Sequence, residues 1–388
     1  MNLNNLRLLM LYKFSSSSMA GFKASTCYFL LLFCSFFSVN SLPINPVYCL
    51  GIPLVFLSFF FLKANIDKFQ FGYYIYFLIS SVLFLIGGYY FSFINKEVAT
   101  FSTILYLYCI LLGAQVIGVG LSINKNKRKE IYKLVFNFLI IFMLLELVLR
   151  FLYAGHTGSF YDYKASFFFS DSNFTSFVIL FFLMFSMFLK DKGIWDLGKI
   201  KFLILLFLLV MTFSRASIIS FFISYIFSKS SSKFRTPVFI IFLAAYFYSS
   251  YLLVNKYIAG NSYVDIDGSF NSKFYIISVA IDNYSLMPYY NKLFGIGLSN
   301  FTYYADGRFA HNMLVTLIYE FGILGSLSFI LFLFYAYKKI GKDFTYILVP
   351  LLVAGFSLFS AYMPFFFVLI SCIYIELKDQ RSNQYFTG

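Results

Sequence analysis

Apolar runs of near-spanning length follow one another along almost the whole chain, separated by short polar or basic segments. A run of about 20 apolar residues wound as helix matches the hydrocarbon thickness of a bilayer. The pattern predicts spans over residues 24–39, 44–62, 73–93, 100–123, 134–153 and 167–189. Two shorter runs, 202–212 and 218–227, flank Phe213-Ser214-Arg215-Ala216-Ser217 and read as a tight hairpin with that polar segment at its apex. Residues 237–254 are a ninth span, and 255–310 is the one long polar stretch. The helix opened by His311 runs to about Tyr337, and 344–363 with 365–377 form a last hairpin broken at Pro364. The expected fold is an all-α polytopic membrane protein of about twelve spans. It is a single membrane domain over residues 1–388 with one large loop at 255–310. Residues 1–23 are polar and basic. A cleaved signal peptide is one reading of the N-terminus, but the long polar leader and the spans that follow favour an uncleaved first span.

Composition supports this class. Of 388 residues, 61% are hydrophobic and 12% charged, with a mean hydropathy of +0.80; soluble domains carry about 25% charged residues. The net charge of +14 raises nucleic acid as a partner. That partner is rejected, because the basic residues sit between apolar runs, where orientation signals belong. The five cysteines (Cys27, Cys34, Cys49, Cys109 and Cys372) lie in or beside apolar runs without metal-type spacing. They read as packing residues, and neither a disulfide framework nor a metal site is expected.

Charge also orients the chain. With a cytoplasmic N-terminus and twelve spans, the inside segments hold 22 of the 30 lysines and arginines, and the outside segments hold 8. Both termini are then expected in the cytoplasm. The 155–166 loop, Arg215, the whole of 255–310 and His311 fall together on the outer face.

The candidate chemistry gathers there. An ordinary account of Arg215 is a side chain snorkelling to headgroups; the chemical account is a planar, permanently charged fork for phosphate oxygens. His311 is either an interfacial helix-end residue or a general base. The positive end of a helix would keep its imidazole neutral and able to take a proton. Glu320, nine residues on, should face away from His311 on a regular helix and reads as a buried structural partner. Gly322 and Gly325 suit close packing. Ser170-Asp171-Ser172-Asn173 opens a span, either as a helix cap or as a polar contact to a sugar. Glu146 and Arg150 are spaced as an i, i+4 pair. His156, in a Gly-rich loop, reads as solvated.

The order of these features resembles the bacterial O-antigen polymerase and O-antigen ligase superfamily. Four segments carry the resemblance: Phe169-Ser170-Asp171-Ser172-Asn173; Thr212-Phe213-Ser214-Arg215-Ala216-Ser217; Leu293-Phe294-Gly295-Ile296-Gly297-Leu298-Ser299-Asn300-Phe301; and His311-Asn312 followed by Glu320-Phe321-Gly322-Ile323-Leu324-Gly325. They lie within residues 167–337. The family usually has an arginine early in the long loop, where this chain has Lys273 after Gly268-Ser269. Lysine holds phosphate as a point charge without the bidentate fork, and Arg308 could substitute.

The resemblance implies a GT-C-type glycosyltransferase of the bacterial inner membrane, working on the periplasmic face without metal or cofactor. Its donor and acceptor would be undecaprenyl-pyrophosphate-linked glycans, with membrane lipid around it and a chain-length regulator as a further partner. His311 would be the base, Arg215 with Lys273 or Arg308 would hold pyrophosphate, and Ser214, Asp171, Asn173 and Asn312 would contact substrate. Polymerase is the first expectation. The alternatives are a ligase acting on lipid A–core and, from another class, an oligosaccharide flippase. A flippase predicts midplane ionisable groups and internal repeats, and no repeat is evident.

Overall fold

The computed structural model describes residues 23–42, 44–61, 66–155, 160–230, 268–355, 359, 361 and 363–386, with isolated positions in 237–252. The expected ninth span, 237–254, and His156 therefore lie outside or largely outside the described residues. The helices are α1 (Ala24–Phe33), α2 (Pro46–Ser58), α3 (Lys68–Phe91), α4 (Phe101–Gly120), α5 (Lys125–Leu152), α6 (Ser172–Asp191), α7 (Lys199–Met211) and α8 (Arg215–Lys229). They continue with α9 (Gly268–Tyr284), α10 (Tyr289–Phe294), α11 (Gly322–Ile340), α12 (Thr345–Gly355) and α13 (Pro364–Phe386). The one sheet among the described residues is a two-residue antiparallel ladder, Ala165–Ser166 (β1) with Ser170–Asp171 (β2).

The fold is all-helical, and among the described residues five helices are long and apolar enough to cross a membrane: α3, α4, α5, α6 and Met313–Ile340. Shorter helices occupy several other expected spans. At 1.5 Å per residue, the ten residues of α1 reach only about half a bilayer. Helix α6 is the axis of the bundle, with 89% of its apolar window buried, against 33% for α3 on the periphery. Helix α5 presents Leu134, Phe138, Ile141, Leu145, Val148 and Leu152 outward at helical spacing, all exposed. Such a stripe suits hydrocarbon and not water.

Helix ends sort onto two opposite faces, because direct bonds tie them together. On one face Lys378 bonds Asp67 at 2.5 Å, Tyr335 bonds the Lys68 carbonyl, Lys229 pairs with Asp191 at 2.7 Å, and Lys192 pairs with Asp343 at 2.7 Å. Burial pushes the Asp67 carboxyl up, but hydrogen bonds from Lys378, the Phe69 N–H and Tyr374 outweigh it and hold the pKa below the ordinary carboxylate value. This link is therefore present above the carboxylate range and is lost as pH falls through the lowered value.

The lysine-rich face also holds a buried arginine that its place in a basic cluster had hidden. Arg128 is 1% exposed. It donates to Glu376 at 2.7 Å and to Asp379, and to the carbonyls of Gly120 and Ile123. It thus pins α4, α5 and α13 together. Arg128→Met is expected to cost about 3–5 kcal/mol, because Glu376 is left buried and unpaired. Adding Glu376→Met should recover much of that loss in thermal unfolding of the detergent-solubilised protein; a double variant worse than the single would contradict this account.

Candidate functional site

The opposite face is built from the four segments that the sequence singles out, and side-chain contacts join them. Asp171 caps α6: its Oδ1 accepts from the Asn173 N–H at 2.9 Å and its Oδ2 from the Asn173 side chain at 3.0 Å. The β1–β2 ladder that presents Asp171 is anchored from below. Ser166 donates to buried Glu146 at 2.8 Å, and Glu146 pairs with Arg150 at 3.6 Å, as their spacing predicts. One turn further along α6, Ser176 bonds Ser217 of α8 at 2.6 Å. Ser214 closes the same cluster, reaching Ser217 at 3.4 Å. The turn between α7 and α8 sits where the polar apex was expected, with Phe213 in the left-handed region at φ 56°.

His311 meets this corner from the other side. Its ring lies 5.7 Å from Phe174 and 5.8 Å from Phe309, and its carbonyl accepts from the Phe359 N–H. Its backbone is left-handed, φ 42°, a conformation that a non-glycine residue adopts only when its surroundings impose it. Helix begins after His311, with Asn312 as the cap that accepts from Leu314 and Val315.

The expected regular helix through Glu320 does not form. Thr316–Phe321 is a π-turn, and Gly322, at φ 67° and ψ −179°, breaks the direction before α11 begins. The carbonyls freed at the break are taken by the glycine segment: the Ile296 N–H bonds the Tyr319 carbonyl at 3.0 Å, and the Gly297 N–H bonds that of Glu320 at 3.1 Å. Glycine is required on both sides. A Cβ on Gly295 would overlap the Glu320 carbonyl, and one on Gly322 would overlap the Gly295 nitrogen. Beyond this contact Asn300 clamps the start of α4, exchanging hydrogen bonds with the backbone of Ala99 at 2.7 and 3.0 Å.

These contacts border an open cavity of about 960 Å³ lined by His311, Asp171, Glu320, Thr316 and Ser299, among others. Its volume is at the upper end for ligand pockets. Glu320, expected to face away, therefore shares the cavity with His311. A π-turn takes an extra residue per turn and rotates the following side chains relative to an α-helix. The cavity walls are apolar, from Phe36, Val47, Leu105, Phe169 and Phe365, and its margin includes Leu42, Ile44, Ile52 and Phe101, which are exposed on the bundle surface. The elbow between α1 and α2 thus supplies a wall that hydrophobicity alone does not announce. The signal available was its polar cluster: Asn45 caps α2 and bonds Ser38 and Asn40.

The other candidates fall into two groups. Ser214, Asn173 and Asn312 do local structural work beside the cavity and do not line it. Arg215 is exposed at the first position of α8, on the same face but outside the lining. Arg308 is exposed too, stacked 4.6 Å over the Tyr275 ring. Lys273 lies in the first half of α9, within the described part of the long loop, and its side chain lies outside the described residues. Among the described lining residues there is no lysine or arginine. Among the described residues no group of three or more His, Cys, Asp or Glu side chains is placed to hold a metal ion.

Cys49 lines the cavity and is exposed, whereas Cys27, Cys34, Cys109 and Cys372 are buried. A membrane-permeant maleimide is expected to label the native protein at Cys49 alone, with Cys49→Ser abolishing labelling. Equal labelling of the Cys49→Ser variant would contradict the assigned packing. No protein-family model matches the chain, and no curated protein matches it in sequence.

Proposed function

We propose that this protein is an O-antigen polymerase of the bacterial inner membrane, joining undecaprenyl-pyrophosphate-linked oligosaccharide repeat units on the periplasmic face. One observation carries the reading: direct contacts gather four segments, separated by up to about 150 residues of sequence, beside one cavity that three of them line, His311 among the lining residues. The cavity has hydroxyl-binding groups inside and apolar residues at its margin, as an amphiphilic glycolipid requires.

In this mechanism His311 takes the proton of an acceptor sugar hydroxyl. The hydroxyl oxygen attacks the anomeric carbon of the donor glycan, the bond from that carbon to the pyrophosphate oxygen breaks, and undecaprenyl pyrophosphate leaves. Arg215 stands at the same face to stabilise charge developing on the leaving pyrophosphate, with Arg308 or Lys273 as a second cation. The lysine-rich face is cytoplasmic, with both termini on it, and the chain crosses about twelve times.

Deletion in the native strain followed by an electrophoretic lipopolysaccharide profile tests this reading. Core carrying a single repeat unit is the expected result. Bare core, with polymer retained on the lipid carrier, would instead identify a ligase. A profile with neither change would remove both assignments.

A further inference from the structure

One stretch of the long loop presents large apolar groups that the cavity does not use. Across the α9–α10 junction Leu286, Tyr289 and Tyr290 are exposed, the first two by 78% and 71%, while Met287 and Asn291 are buried. The inward pair fixes the outward set. Met287 packs in the core cluster that holds Phe91 and Ile296, and the Asn291 side chain donates to the Gly295 carbonyl at 3.4 Å. The Tyr290 ring stacks on Tyr90 of α3, with centroids 4.4 Å apart and planes 6° from parallel.

Helix α3 sets both the surroundings and the depth of this stretch. Phe71, Leu78, Val82, Leu85, Tyr89 and Phe93 are exposed at helical spacing along one side, an apolar stripe suited to hydrocarbon. The helix starts at Lys68 on the lysine-rich face, where Asp67 pairs with Lys378 and the Lys68 carbonyl accepts from Tyr335. At 1.5 Å per residue, a hydrocarbon layer of about 30 Å ends about 20 residues further on, at Gly88. Helix α10 crosses α3 at that level: a Cβ on Gly87 would lie 2.7 Å from the Phe294 carbonyl oxygen. The outward groups of 286–290 therefore continue the stripe of α3 at the depth where hydrocarbon gives way to headgroups. Tyrosine suits that boundary, with an apolar ring and a hydroxyl that takes water or a headgroup. The polar groups beside it suit the headgroup layer too: Asp282 and Ser285 are exposed, and Lys292 donates to the Ser285 carbonyl at 3.2 Å.

We infer that residues 286–290 are an interfacial anchor, docking the long loop onto the headgroup layer of the bilayer on the cavity-bearing face. The anchor acts on the cavity through the chain that follows it. Helix α10 leads straight into 295–299, which docks on the helix break, and Leu298 and Ser299 line the cavity. The depth of that wall relative to the headgroups is thus fixed, whichever reaction the cavity performs.

The test uses full-length Cys49→Ser protein in lipid nanodiscs, which leaves only buried cysteines. A bimane fluorophore is placed on Leu286→Cys, on Tyr289→Cys or, as an aqueous reference, on Glu97→Cys, an exposed position beyond the end of α3. The quenchers are phosphatidylcholine with a nitroxide near the top or near the end of its acyl chain, and iodide in solution. An interfacial group sits about 5–10 Å into the headgroup–acyl boundary, so the shallow nitroxide should quench both loop positions at least about twofold more than the deep one. Iodide should quench them at least about twofold less than position 97. Both loop positions are exposed, and either carries the test if the other variant fails to fold. Iodide access without lipid quenching would overturn the inference, as would stronger quenching by the deep nitroxide. Shielding from both lipid and iodide would also overturn it, by placing a second copy of the chain on this face.

Discussion

Replacing His311 by alanine is expected to lower chain growth by about 100- to 10,000-fold, the span typical of removing a general base, with wild-type amounts of protein still in the membrane. The substitution removes the imidazole and its ring contacts with Phe174 and Phe309, and leaves the backbone contacts at this position in place. Asn312 still caps the following turn, and the residue 311 carbonyl still accepts from Phe359. A companion variant separates chemistry from folding. At φ 42° the His311 backbone is in a region where glycine is unstrained. His311→Gly is therefore expected to cost little stability, or to relieve strain, while losing activity as fully as alanine. Activity retained in His311→Gly would show that this position matters for its backbone and not for its imidazole. The measurement is a complementation profile in the deletion strain, with membrane protein quantified in the same cells.

The largest stability losses are expected at Gly295 and Gly322, which press backbone to backbone where the glycine segment docks onto the helix break. Gly295→Ala is expected to cost about 3 kcal/mol or more. At φ 80° and ψ 179° the backbone is in a region almost confined to glycine, where a Cβ costs roughly 1–3 kcal/mol by itself, and here it also drives into the Glu320 carbonyl. Gly307 separates the two contributions. Its φ of 81° matches the 80° of Gly295, but a Cβ there meets nothing within 4 Å. Gly307→Ala should therefore show only the conformational part. Gly88, inside α3 and facing open space, should accept alanine with no loss or a slight gain. The readout is thermal unfolding of the purified variants. Equal losses at 295 and 307 would mean that close approach is not what fixes glycine there.

Several of these features were legible because they are local. The apolar runs set the helical class. The polar apex at Phe213-Ser214 marked a turn, and the four-residue spacing of Glu146 and Arg150 marked a pair that forms. The grouping of Arg215 and His311 on one face followed from counting lysines and arginines over alternating spans, a rule that needs no tertiary detail. What stayed hidden is non-local or irregular. Glu320 shares the cavity with His311 across a six-residue π-turn, with His311 itself outside the helix, and hydrophobic periodicity reports neither feature. Gly295 and Gly322 each look like ordinary small residues until the other is beside it. Asn300 bonds Ala99, 201 positions away in sequence, and nothing near either residue announces it. Arg128 was masked by its basic neighbours, because burial and not sequence company separates it from them.

The most direct measurement is chain growth by the purified protein in liposomes, supplied with undecaprenyl-pyrophosphate-linked repeat units. The products are read as the length of lipid-linked glycan. The account predicts a ladder of multimers on the lipid carrier. It should be absent with His311→Ala and strongly reduced with Arg215→Ala and after maleimide modification of Cys49 at the cavity wall. No ladder from folded wild-type protein, or an unchanged ladder from His311→Ala, would contradict it.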